Sequence, residues 1–242
     1  MSKDASKPTP NNSELMQLSC SGDEALRIVN RAVLDLWDVV NELTRLRPKK
    51  LQHYYVTIFG SARIQQGTQP YEEVCRLAEQ LARMGCQIVT GGGPGLMQAA
   101  NEGARRGDPG DADGSVGIRV SLPFEQDANA FVGRVYEHKT FFTRLHHFVV
   151  LSDAFIVVPG GIGTALELFM VWQLLQVRHL YDKPFILVGK MYEDLVKWAR
   201  EHMVETAQQL ANPIDMTIPQ CVQTIDEALE LIGSDYRRWK QP

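Results

Sequence analysis

Five short apolar runs set the limits on how this chain can fold: Tyr55–Phe59, Cys86–Thr90, Ser115–Val120, Asp153–Val158 and Pro184–Val188, with helix-patterned stretches between them. Runs of this length that are apolar on both faces fit strands covered on both sides, and strands alternating with helices fit a parallel sheet. The spacing predicts helices over Tyr71–Met84, Pro94–Arg106, Lys139–Leu151, Gly163–Val177, Tyr192–Ala207 and Ile225–Ile232, and a last short strand over Thr217–Cys221. From Val120 to about Tyr136 no period is visible, and the segment reads as irregular. The expected fold is therefore α/β: a doubly wound, Rossmann-like parallel sheet with an additional N-terminal helix. In such folds ligands sit outside the carboxyl ends of the strands.

The additional helix is expected over Asp23–Leu46, where Leu26, Val29, Val33, Leu36, Val40 and Leu43 recur at three and four and Pro48 ends the pattern. The basic cluster Arg45 to Lys50 reads as a solvated linker. The expected division is a flexible tail at 1–21, helix and linker at 22–50, and a Rossmann-like domain at 51–242. A chain of 242 residues can bury such a core without metal or disulfide staples.

Charge and cysteine usage narrow the class. A net charge of -4 argues against a bulk nucleic-acid or anionic-membrane binder. The polar N-terminus lacks the apolar stretch of a signal peptide, and the longest apolar region, Ala154–Leu175, is broken by Pro159-Gly160-Gly161 and carries Glu167. Cys20, Cys75, Cys86 and Cys221 form no CxxC or Cys/His pattern, so reduced thiols in a cytoplasmic protein are expected. No metal or cofactor is expected. Asp108–Gly114 lacks the full ligand spacing of a calcium loop. The adjacent His146 and His147 would point about 100° apart on a helix.

Seven of the 19 glycines fall in two runs, each directly after a strand. The first, Thr90-Gly91-Gly92-Gly93-Pro94-Gly95-Leu96-Met97, is neither a dinucleotide fingerprint nor a Walker loop. It reads either as an anion site of bare backbone amides at a helix start, or as a tight turn with Pro94 near the first helical position. The second, Pro159-Gly160-Gly161-Ile162-Gly163-Thr164-Ala165-Leu166-Glu167, also has two readings. Thr164-x-x-Glu167 matches a capping box; alternatively Gly160, Gly161, Gly163 and Thr164 hold a phosphate and Glu167 faces the group attached to it. Two anion loops on one sheet edge point to a nucleotide or sugar phosphate.

Phe59-Gly60-Ser61-Ala62, the Gly91–Met97 loop and Pro159-Gly160-Gly161-x-Gly163-Thr164-x-x-Glu167 resemble the LOG (LONELY GUY) phosphoribohydrolases, long mislabelled lysine decarboxylases, over roughly Val56–Gly233. Leu122-Pro123-Phe124-Glu125-Gln126 and Phe141-Phe142-Thr143-Arg144 resemble the longer bacterial members. The resemblance implies an N-glycosidic hydrolase that splits a nucleoside 5′-monophosphate, of AMP or cytokinin riboside monophosphate type, into free base and ribose 5-phosphate. It implies Arg144 and Glu167 as the catalytic pair. It further implies substrate and phosphate contacts from Ser61, Gly92, Gly93, Met97, Glu125, Gly160, Gly161, Gly163 and Thr164, with Phe59 and Met97 as candidates for the base pocket. Leu145 departs from the pattern, since the family usually follows that Arg with Lys. Glu167 on a first helical turn is expected to stay ionised, and Arg144 to hold the phosphate or Glu167. The expected partners are a small-molecule nucleotide and further copies of the chain, as a homodimer or larger even homo-oligomer, with no nucleic acid and no membrane. The competing expectation is a non-catalytic nucleotide or molybdenum-cofactor carrier of the same fold.

Overall fold

The structure, a computed structural model, describes residues 22–45, 52–121 and 127–241, with side chains of the first helix described as far as Leu36. The expected tail at 1–21, the linker from residue 46, and the segment carrying Glu125 lie outside the described residues. Contacts divide the chain into two units, residues 1–50 and 51–242. In the first unit a single helix, α1, runs Gly22–Arg45. Its Leu26, Val29, Val33 and Leu36 are all exposed.

The second unit is built on seven parallel strands: β1 (Tyr54–Phe59), β2 (Cys86–Thr90), β3 (Ser115–Val120), β4 (Arg134–His138), β5 (Ala154–Val157), β6 (Phe185–Val188) and β7 (Gln220–Val222). Their order is β4-β3-β2-β1-β5-β6-β7, so the chain winds outward in one direction from β1 and then in the other. The switch falls between β1 and β5, where Val56 pairs with Ala154 and Phe59 with Val157. Every residue of β1, β2, β5 and β6 is buried, which is why these runs carry apolar side chains on both faces.

Helices cover both faces. On one, α2 (Gln69–Arg83), α3 (Leu96–Gly107) and α7 (Ile225–Lys240) bury Leu77, Leu81, Leu96, Ala100, Ala228 and Ile232 against Val56, Ile58 and Ile88. On the other, α4 (Phe141–Leu151), α5 (Ile162–Gln176) and α6 (Lys190–Ala199) bury Phe148, Leu168, Val171, Trp172 and Tyr192 against Phe59, Val89 and Val157. This is the doubly wound arrangement that the sequence predicts.

The departures have local causes. β4 lies inside the stretch that reads as irregular; it is an edge strand whose exposure alternates, and it has only β3 as a neighbour, so it carries no apolar run. α6 ends at Ala199 and relaxes into a π turn over Arg200–Val204, whereas the periodicity predicts helix to Ala207. α7 continues past Ile232 because Tyr236 and Trp239 pack edge-on against Tyr54, with ring centroids 5.5 Å away, and Asp235 accepts the Tyr54 hydroxyl at 2.5 Å.

Candidate functional site

Three loops leave the carboxyl ends of β1, β2 and β5 and meet at the switch point. Ser61, just after β1, joins them through its backbone: its N–H donates to the Pro159 carbonyl at 3.1 Å, and its carbonyl accepts from Leu96 N–H at 2.8 Å. The Ser61 hydroxyl is used locally, accepting from Arg63 N–H at 3.1 Å. Gly95, at φ +70°, precedes α3 so closely that a side chain there would strike Ser61 and Ala62. The helix accordingly begins at Leu96 and not at Pro94.

The first glycine loop is largely occupied by its own protein. Gly92 N–H donates to Thr90 Oγ1 at 2.9 Å, and Leu96 N–H is committed to Ser61. The loop carbonyls are held by Asn129, whose N–H reaches Gly92 O and whose Nδ2 reaches Gly93 O, both at 2.9 Å. Behind it the buried Asn101 accepts from Thr90 Oγ1 at 2.7 Å and from Asn129 Nδ2 at 3.0 Å. Met97 lies over the loop: a Cβ built on Gly91 would fall 2.7 Å from its sulfur, and one on Gly93 2.8 Å from its methyl. The same Gly91 position abuts the Arg144 guanidinium. Gly92 therefore does not offer a free amide to an anion.

The second loop has the opposite character. α5 begins at Ile162 with Gly161 as its N-cap and no side-chain cap, so the capping box over Thr164 and Glu167 is not formed. Thr164 is instead buried against Gly160, leaving no room there for a side chain. Gly161 and Gly163 have no atom within 4 Å of a built Cβ, and neither has a positive φ. Neither backbone strain nor packing requires glycine at these two positions. The first-turn N–H groups of a helix have no intrahelical acceptor, and the dipole favours an anion there. The second loop thus presents an open helix start. Tyr192 braces it from α6: its buried hydroxyl donates to Val158 O at 2.8 Å.

Released from capping, Glu167 turns inward one helical turn from this helix start. Its Oε1 stands 3.6 Å from Arg144 Nη2, each side chain about an eighth exposed at 12% and 13%. Arg144 is fixed from behind, with Nε donating to the Ile118 carbonyl at 2.9 Å and Cζ 5.4 Å above the Phe148 ring. Burial pushes the Glu167 carboxyl up to about 7, with Arg144 pulling the other way. The lost hydration outweighs the pull of the helix start, so the carboxyl lies above the ordinary carboxylate range. One turn after Arg144, His147 Nδ1 meets His138 Nε2 at 2.9 Å, and burial holds His147 neutral at about 4.

Phe59, by contrast, is core, buried in edge contact with Phe148 at 5.0 Å between ring centroids. Thr90, Asn101, Asn129, Ile118 and Tyr192 were not among the residues that sequence patterns single out. A buried polar residue at the end of an otherwise apolar strand, such as Thr90, is the one signal that points to part of this network.

With this geometry in view, residues 97–232 match the family model described as "possible lysine decarboxylase". The chain belongs to this family, the LOG family. A relative in Arabidopsis thaliana, the probable cytokinin riboside 5′-monophosphate phosphoribohydrolase LOG6, is 31% identical over 166 residues, covering 60% of this chain and 79% of that protein. The pyrimidine/purine nucleotide 5′-monophosphate nucleosidase of Escherichia coli K12 is 30% identical over 138 residues, covering 54% of this chain and only 30% of that protein. Among solved structures, a molybdenum cofactor binding protein from Rippkaea orientalis matches with a TM-score of 0.56 at 18% identity, over 77% of this chain and 99% of that one, which shows the shared fold. Among the described residues, no helix is long and apolar enough to cross a membrane.

Proposed function

We propose that this LOG-family chain hydrolyses the N-glycosidic bond of a nucleoside 5′-monophosphate, releasing free base and ribose 5-phosphate. The observation that carries the reading is the Arg144–Glu167 pair, 3.6 Å apart beside an uncapped helix start with two glycines that face open space. The 5′-phosphate is assigned to the amides of Ile162, Gly163 and Thr164, with Gly161 leaving the approach clear. Glu167 then faces the ribose. As the C1′–N bond breaks, positive charge builds on the sugar, and a nearby carboxylate lowers its energy. A carboxyl near 7 also suits removal of a proton from the attacking water, whose oxygen forms the new bond to C1′ while the base leaves with the bond's electron pair and takes up a proton from solvent, the proton on Glu167 returning to solvent afterwards. Arg144 is permanently charged, so its role is to fix the carboxylate and the substrate anion, not to move protons.

Self-association near the site is part of the same reading. α5 is apolar on all sides; it buries Leu168, Val171 and Trp172 but leaves Ile162 89%, Leu166 50% and Phe169 42% exposed, with Phe142 80% exposed on α4. A second copy covering this face would close a site that otherwise opens to water.

Leu145 favours one competing reading, a nucleotide or molybdenum-cofactor carrier without turnover, because it replaces a cation. Incubation with AMP, GMP, CMP and UMP, scored for free base and ribose 5-phosphate, decides between them. Release of both products from at least one nucleotide is expected; nucleotide binding with no release would establish the carrier.

A further inference from the structure

α1 is an unbroken helix about 36 Å long by its residue count, and six of its apolar positions form one stripe along it. Leu26, Val29, Val33, Leu36, Val40 and Leu43 are spaced strictly by three and four, a repeat of 3.5 residues per turn that marks a coiled-coil seam. Four of these side chains are described, and all four are more than half exposed: Leu26 59%, Val29 57%, Val33 58% and Leu36 54%. Ala25 and Ala32 flank the seam and leave room for another helix to approach.

From this pattern we infer that α1 pairs antiparallel with α1 of a second copy of the chain. The direction comes from a symmetry in the sequence. About a point between Leu34 and Asp35, Leu26 mirrors Leu43, Val29 mirrors Val40 and Val33 mirrors Leu36. Antiparallel pairing therefore stacks Leu on Leu, Val on Val, and Val on Leu in successive layers. The charges obey the same mirror with opposite sign: Glu24 with Arg45, Arg27 with Glu42, and Arg31 with Asp38. In the heptad set by the seam these positions fall outside it, so they are counted as fields between halves of the helix and not as contacts. Antiparallel pairing sets the N-terminal half, where Arg27 and Arg31 offset Asp23 and Glu24, against the C-terminal half, where Asp35, Asp38 and Glu42 outnumber Arg45. Parallel pairing sets the two acidic C-terminal halves against each other, and also aligns the helix dipoles unfavourably. Ile28 and Leu34 lie off the seam and are not explained by it. The inference does not depend on the nucleotide reading, since it uses no residue assigned to that site.

The test uses the full-length chain carrying Cys20→Ser. Two differently tagged chains, one with Leu26→Cys and one with Leu43→Cys, are co-expressed and oxidised mildly. Non-reducing electrophoresis is expected to show a disulfide-linked pair carrying both tags, and no linked pair when either variant is expressed alone. A linked pair from the Leu26→Cys chain alone would mean parallel pairing, and no link in any sample would mean no pairing; either result overturns the proposal. In parallel, Val33→Asp combined with Leu36→Asp is expected to halve the mass found by sedimentation while circular dichroism of the sheet domain is kept. An unchanged mass, as for an assembly held solely through α5, also overturns it.

Discussion

Arg144 and Glu167 face each other at 3.6 Å, while the Nε of Arg144 is already bound to the Ile118 carbonyl at 2.9 Å. A guanidinium tethered in this way cannot swing out to solvent, so its charge is a fixed part of the environment of Glu167. With the carboxyl at about 7, kcat/KM for a nucleoside monophosphate is expected to climb through neutral pH to a plateau on the alkaline side. Glu167→Gln removes that limb and lowers turnover about 10²–10⁴-fold, leaving the gentler dependence from the substrate phosphate near pH ~6. Arg144→Ala takes away the one charge that pulls the carboxyl down, so the limb of any residual activity moves to higher pH. A limb that survives in Glu167→Gln would mean that another group titrates.

The same burial has a thermodynamic consequence. Glu167 holds its proton more tightly folded than unfolded, so its contribution to stability is fully present below the ordinary value of 4.5 and is lost as pH rises through about 7. Glu167→Gln avoids the cost of ionising a buried carboxyl. Its urea midpoint relative to the parent is therefore expected to be higher at pH 8 than at pH 5. An equal difference at both pH values would contradict the shifted carboxyl.

The glycines separate into two kinds that mutation distinguishes. Gly161→Ala and Gly163→Ala meet no neighbour, and thermal unfolding is expected to change by no more than about 0.5–1 kcal/mol. Their effect belongs in KM, because a methyl group enters the space assigned to the phosphate. Gly91→Ala instead drives its methyl into Arg144 and Met97, so both stability and kcat are expected to fall. Equal KM for the parent and both Ala variants of the second loop would move the phosphate elsewhere.

Tyr192→Phe keeps the ring in the core and deletes only the hydroxyl that holds Val158 O. A loss of about 0.5–1.5 kcal/mol in stability is expected from the bond. If the brace positions the second loop, KM rises while the pH limb of Glu167 stays where it was. A shift of the limb without a change in KM would assign Tyr192 to the carboxyl instead.

Strands that are apolar on both faces announce a covered parallel sheet, so β1, β2, β5 and β6 were legible in the sequence almost residue by residue. β4 was not, because Val135 and Tyr136 sit among charged residues on an edge that needs only one neighbour. The two glycine runs point to the correct sheet edge but look alike as strings. Their difference lies in their hydrogen bonds: Thr90 accepts the Gly92 N–H and Asn129 holds the Gly92 and Gly93 carbonyls of one loop, while Ser61 N–H holds the Pro159 carbonyl of the other. Glu167 was visible as a candidate, yet the local pattern favoured a capping role equally. Only the position of α5, capped at Gly161 three residues before Thr164, turns the carboxyl toward Arg144.

The backbone of Ser61 bonds to one glycine loop through its N–H and to the other through its carbonyl. Three segments far apart in the chain thus behave mechanically as one plate, and displacing one of them loads the other two. An engineer who transplants the second loop from a relative to alter nucleotide choice would be moving a fragment of that plate. Grafts that carry the Phe59–Ala62 and Gly91–Met97 segments together with it are the ones that keep the geometry intact.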